Sequence, residues 1–251
     1  MVERLRQLRL THFKLCPFSR AIRLVLGELG LRPEFVDVQP WALDRTFLAA
    51  NPAGTLPVVE TRDGRLLIGA YATAEFIDDL GSDEAIRACF AAEPATVERS
   101  SRRLDTLFPG DIDSRAEVRR LIDWFHLKFD REVSQELLHE KVRPVLDRKT
   151  SRAPDAAMLR AARANLKYHL SYVGFLADQR RWLGGDEISY ADLAAAAHLS
   201  IADYLGEIDW EDVPYAQVWY QLVKSRPSFR PLLEDRVPGV APPAHYAELD
   251  F

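Results

Sequence analysis

The chain has 251 residues, 47% of them hydrophobic and 28% charged, with a formal net charge of −5. This profile belongs to a soluble globular protein long enough for two ordinary domains, and a mildly acidic chain has no global electrostatic pull toward nucleic acid. Its two cysteines, Cys16 and Cys89, are too few for a disulfide framework and too far apart for a CxxC unit. With no signal-peptide pattern and no apolar stretch long enough to insert in a membrane, a cytoplasmic location is expected.

Taken in order, residues 1–80 alternate between strand-like and helix-like runs. Leu8 to Phe13 reads as a strand. Ser19 to Leu29 reads as a helix stopped by Gly30, with Ile22, Leu26 and Leu29 at helical spacing. Glu34 to Val38 alternates as a second strand, and Trp41 to Leu48 as a short irregular helix. Pro57 to Glu60 and Leu66 to Ile68 flank Thr61-Arg-Asp-Gly64, where Asp-Gly signals a hairpin, and a helix follows over Thr73 to Leu80. One mixed sheet with helices on its faces is predicted.

Residues 81–110 are polar and Ala-rich with Pro94 and Pro109-Gly110 as breakers, which predicts a linker or insertion. Residues 111–236 are predicted to be all helix. Val118, Leu121, Ile122, Phe125, Phe129, Val133 and Leu137 form one apolar stripe ending near Pro144, and Leu159 to Leu176 form a second, entered through Pro154-Asp155. Further helices are expected over Ser189 to Leu205 and Pro214 to Ser225. Residues 237–251, with Pro238-Gly239 and Pro242-Pro243, read as a tail.

Two clusters carry chemistry. His12-Phe-Lys-Leu-Cys16-Pro17-Phe18-Ser19-Arg20 joins the first strand to the first helix. Proline at a helix entry loses no backbone bond, and a thiol there meets the positive end of the helix dipole, which is expected to lower its pKa. Cys16 is thus a candidate nucleophile or simply a small residue at a turn; Ser19 stands where a dithiol motif has its second cysteine. Asn51-Pro-Ala-Gly-Thr-Leu-Pro57 precedes a strand and is read either as a cis Leu56-Pro57 turn exposing the Leu56 backbone or as an ordinary strand start. The six histidines show no HxH or HExxH spacing, so no metal site is predicted.

These clusters resemble the glutathione transferase superfamily, in which a Cys-, Ser- or Tyr-bearing turn and an N-P-x-G-x-[IVL]-P loop hold the tripeptide. Ser189-Tyr-Ala-Asp192 resembles the family's S/T-x-x-D capping box, and Trp219 to Phe229 its closing helix. The resemblance implies a thioredoxin-like α/β N-terminal domain (1–80), a linker (81–110), an all-α C-terminal domain (111–236), a tail (237–251) and a homodimer. It also implies a glutathione site at Leu56, Pro57 and Thr73. The family's acid-hydroxyl pair for the γ-glutamyl end reads Ala72-Thr73 here. Loss of a charged hydrogen bond weakens glutathione by about tenfold to a hundredfold, so the site is expected to be vestigial and no cofactor required.

A narrower resemblance runs through Arg115 to Phe129 and Arg226 to Phe251, which are similar to the FzlA group of alphaproteobacterial glutathione-transferase-like proteins. It implies an adaptor that binds filaments of the division GTPase FtsZ and promotes constriction without needing transferase catalysis. The alternative is a glutathione-dependent transferase or thiol transferase using Cys16 or Ser19. Candidate partner contacts are Trp41, either an exposed anchor or packed under the irregular helix, and Glu140 and Arg143, which either line the cleft or end a solvated helix. The tail residues Glu248, Asp250 and Phe251 are expected to dock on the chain's own body or on a partner.

Overall fold

The computed structural model describes residues 8–81 and 104–249. Residues 82–103, which hold most of the expected linker together with Cys89 and Pro94, lie outside the described residues, as do Asp250 and Phe251.

Alternation dictates the sheet. In β1 (Arg9–His12) Leu10 turns into the core while Arg9 faces out, the period-2 consequence of a pleated strand. β2 (Glu34–Asp37) runs parallel to β1 with Leu10 opposite Phe35. A parallel pair needs a crossover, and α1 (Pro17–Glu28) supplies it. β3 (Val58–Glu60) lies antiparallel on the other side of β1 and closes a hairpin with β4 (Leu66–Ile68), giving the order β2-β1-β3-β4. Gly64, at φ 80°, takes the left-handed position of the Asp-Gly turn, where a side chain would be strained. α2 (Arg45–Ala50) precedes the Leu56–Pro57 bond, which is cis, and α3 (Ala70–Gly81) follows the hairpin.

The second domain is helical. α4 follows one path over 112–146, α-wound in Ile112–Asp123 and π-wound in Trp124–Ser134 and Leu138–Val142. α5 (Ala156–Gln179) is capped by Asp155, whose carboxylate accepts from Ala157 N–H at 2.7 Å. α6 (Tyr190–Tyr204) is buried along its whole length, its polar side chains Asp192, His198, Ser200 and Asp203 included. Its alanines, Ala191 and Ala194 to Ala197, bring neighbouring helices close. α7 (Pro214–Lys224) and α8 (Arg230–Leu233) complete the domain.

The capping box at α6 forms as expected. Asp192 accepts from Ser189 N–H at 3.0 Å, Leu183 N–H at 2.8 Å and the Trp219 indole at 3.0 Å, so one carboxylate ties the start of α6 to α7 and to the preceding turn.

Three expectations shift. α2 starts at Arg45 and not Trp41, because Asp44 caps it by accepting from Phe47 N–H, which leaves Trp41 on the loop before it. The described end of the linker is docked: Leu107 and Phe108 are buried, and Asp78 accepts from Leu107 N–H at 2.6 Å and from the Thr106 hydroxyl at 2.9 Å. The tail also carries an element, a 3-10 turn over Ala244–Ala247 that places Tyr246 fully inside the molecule.

The two domains meet through α1 and α6. Arg20, on α1, is completely buried and donates to Ser200 Oγ (2.8 Å), Tyr246 Oη (3.0 Å) and Asp235 (3.3 Å). Glu28, at the end of α1, accepts two bonds of 2.6 Å from Arg226 and one from the Ser228 hydroxyl.

Candidate functional site

Between the domains lies a cavity of about 650 Å³. The thioredoxin-like side contributes Phe13, Cys16, Phe18 and Trp41; the helical side contributes Asp130, Leu138, Glu140 and Arg143, all from α4.

Cys16 is the N-cap residue of α1, followed by Pro17 at the first helical position. Its thiol faces the Leu56 carbonyl at 4.0 Å, so the cysteine turn and the cis-proline turn do meet. The expected activation of the thiol is corrected: burial pushes the Cys16 pKa up, and the smaller opposing effects of the Ser19 side chain and backbone N–H do not reverse it. Desolvation outweighs the helix terminus here because the thiol is enclosed by the cleft wall. Ser19 is itself fully buried.

The Thr73 hydroxyl is buried and donates to the Gly69 carbonyl one turn back at 2.7 Å. Glu75, the nearest carboxylate along the helix, is held by Arg119 at 3.0 Å.

Among the partner candidates, Trp41 is half-buried, packs edge-on against Phe13 with ring centroids 5.5 Å apart, and lines the cleft. Arg143 lines the cleft with it. Glu140 departs from a solvated helix end: it is buried, takes both guanidinium nitrogens of Arg152 and accepts from Asp155 N–H at 2.7 Å. Those bonds hold its carboxyl low, at about 2, with Arg152 the largest cause. It fixes the entry to α5 and so shapes the cleft wall. Glu248 is exposed and borders a different depression, beside His245 and Glu207.

Sequence reasoning missed what lies behind the cleft. His126 Nδ1 and His198 Nε2 are 3.1 Å apart, His126 Nε2 meets Tyr190 Oη at 2.9 Å, and His198 Nδ1 meets Ser134 Oγ at 2.8 Å. Phe18 reaches across the domain boundary onto both rings, at 4.9 and 5.4 Å. Burial lowers His126 to about 3 and His198 well below its ordinary value, so this chain of bonds is neutral near pH 7. Asp130 stands between the chain and the cleft; burial raises its pKa to about 6, against one bond from Gln135. Among the described residues, no group of histidine, cysteine or carboxylate side chains could hold a metal ion.

A thioredoxin-like sheet with a cis-proline turn beside a helix-capping cysteine, closed by an all-helical domain, defines the class of glutathione-transferase-fold proteins. Residues 15–80 match the model of the glutathione S-transferase N-terminal domain. The chain is 44% identical over 243 residues to FtsZ-localized protein A of Caulobacter vibrioides, covering 96% of this chain and 97% of that protein. It is 43% identical to the crystal structure of a glutathione S-transferase from Sinorhizobium meliloti (TM-score 0.86, covering 98% and 100% of the two chains). To FzlA from C. crescentus it is 41% identical, with a TM-score of 0.84 over 98% and 100%. The chain belongs to the glutathione S-transferase superfamily.

Proposed function

We propose that this chain is an FtsZ-associated adaptor of bacterial cell division that uses the glutathione-transferase fold for binding and needs neither glutathione nor transferase catalysis. The observation that carries this reading is full-length identity of 44% to a protein called FtsZ-localized protein A. The cleft is consistent with it: the thiol is raised in pKa, Thr73 is turned onto its own helix, and Ala72 stands where the family has its carboxylate. Trp41 and Arg143 offer an aromatic anchor and a cation on one wall-to-wall surface, the residue types that dominate interface energetics.

Co-sedimentation with purified, GTP-polymerised FtsZ tests the reading. Enrichment of the chain in the polymer pellet is expected, and Trp41→Ala is expected to weaken it at least tenfold; a folded chain that stays in the supernatant would sink the idea. We further infer a homodimer built on the outer face of the hairpin, α3 and α4. There Tyr71, Ile112 and Leu127 are exposed apolar residues. Light scattering should then give twice the chain mass, reduced to one in Leu127→Asp.

One feature favours a second reading, a glutathione-dependent enzyme: the Leu56 carbonyl still faces Cys16 across the turn. Isothermal titration separates the two. Micromolar binding of glutathione, with turnover lost in Cys16→Ala, supports the enzyme, and no heat at millimolar glutathione supports the adaptor.

A further inference from the structure

α7 carries apolar residues on two sides. Ala216, Trp219, Tyr220 and Val223 are buried against α5 and α6. Tyr215, Val218 and Leu222, at i, i+3 and i+7, follow one line of the helix and are 58%, 58% and 48% exposed.

α5 extends this face. The ion pairs Arg163–Glu207 (2.6 Å) and Lys167–Asp212 (2.9 Å) precede the approach of Gly174 to α7, where a Cβ would lie 3.8 Å from that of Tyr215. Successive contacts advance together, so the two helices run side by side in the same direction. Phe175, next to Gly174, is 57% exposed, and it is turned by about 200° from buried Val173. Its ring therefore opens on the same outer surface as Tyr215. None of the four residues lines the cleft or the depression beside Glu248. Two adjoining helix ridges suit packing against another helical face better than capture of a single segment in a groove.

Taking about 150–250 Å² for a whole aromatic side chain, and less for valine or leucine, the four leave roughly 400 Å² of apolar surface open. A patch of that size on one chain is commonly an interaction site. Two copies face to face cover roughly 800 Å² from these residues alone, and the polar rim brings the total to the lower limit of about 1,000–1,200 Å² for a specific interface. The rim also selects the occupant. Its charges are few and of both signs: Glu211 lies before the start of α7, Asp178 and Arg181 lie at the end of α5, and Lys167 is already paired to Asp212. A strongly acidic or basic partner meets no matching field here. A mixed, mostly uncharged face is complementary to its own copy, and interfaces between identical chains are the more apolar class.

We propose that the outer face of α5 and α7 is a self-association surface, on which a second copy of this chain packs about a twofold axis. It is distinct from the face of the hairpin, α3 and α4; where dimers form through that face, α7 joins them into tetramers. The contact is small, so its dissociation constant is on the order of 100 µM. The proposal is independent of FtsZ binding.

Sedimentation equilibrium of the full chain over a concentration series is the test. The weight-average mass at about 500 µM should be roughly 1.5 times that at about 5 µM, or more. Val218→Glu on α7 and Phe175→Ser on α5 should each hold the low-concentration mass throughout, with unfolding midpoints unchanged because both side chains face solvent in the single chain. Leu127→Asp should keep the rise with concentration, whatever its mass at the low end. A constant mass in the unaltered chain, a rise that survives in either α5 or α7 variant, or a rise abolished by Leu127→Asp overturns the proposal. A constant mass combined with weaker co-sedimentation of Val218→Glu with FtsZ overturns it too, because FtsZ would then be the occupant.

Discussion

Cys16 shows how a local rule loses to its surroundings. A cysteine at a helix N-terminus is ordinarily acidified, yet enclosure by the cleft raises this one. In a Cys89→Ser background, iodoacetamide at pH 7.5 should alkylate Cys16 at least tenfold more slowly than free cysteine, followed by mass spectrometry; a rate equal to or above free cysteine contradicts the desolvation argument. Asp130 gives a pH signature. Its pKa rises from 3.8 to about 6 on folding, so between these values the folded chain holds a proton that the unfolded chain has released. The stability this confers is complete below 3.8 and is lost as pH rises through 6, in total roughly 3 kcal/mol. Urea unfolding of Asp130→Asn should therefore show a drop between pH 4.5 and 7 that is smaller than that of the parent by about 2 kcal/mol. An identical drop in both proteins would place Asp130 in water.

At the scale of elements, end signals located the helices more reliably than apolar runs did. The capping box placed the start of α6 within one residue, and Pro214 stands at the first position of α7. The run from Trp41 was misread because aromatic and aliphatic residues there cover the cleft and the sheet, whereas Asp44 decides where α2 begins. Asp192 concentrates this logic in one buried side chain that bonds three backbone or indole N–H groups from separate segments. Asp192→Ala strands those donors and is expected to reduce the free energy of unfolding by roughly 3 kcal/mol in urea titration. A loss below 1 kcal/mol would mean that the start of α6 is held by packing alone.

For the whole molecule, the domain boundary is polar and closed. Arg20, Asp235, Ser200 and Tyr246 form a buried network that joins α1, α6, the segment after α8 and the tail. Buried ion pairs of this kind contribute specificity more than net stability, and removing one partner leaves a charge without compensation. Tyr246→Phe removes a donor to the Leu232 carbonyl and an acceptor for Arg20. It should cost about 1–2 kcal/mol, read as a lower unfolding midpoint with a single transition retained. Two separate transitions would show that the domains unfold independently.

By itself the sequence determined the order of elements, the helical second domain and the family, because those rest on local spacing, caps and turn residues; it left the Leu56–Pro57 bond open between a cis turn and an ordinary strand start, and the structure makes it cis and sets it against Cys16. Ala72, at the position where the family resemblance implies a carboxylate, was read from the sequence alone. The buried chain Tyr190-His126-His198-Ser134 was not, since each bonded pair in it is 64 to 72 residues apart and only packing of α4 against α6 brings the partners together. The same holds for the commitment of Glu140 to Arg152, for the burial of Tyr246 and for the sign of the Cys16 pKa shift. Periodicity and capping act over a few residues, whereas desolvation and long-range hydrogen bonds are decided only when distant segments exclude water from the same place.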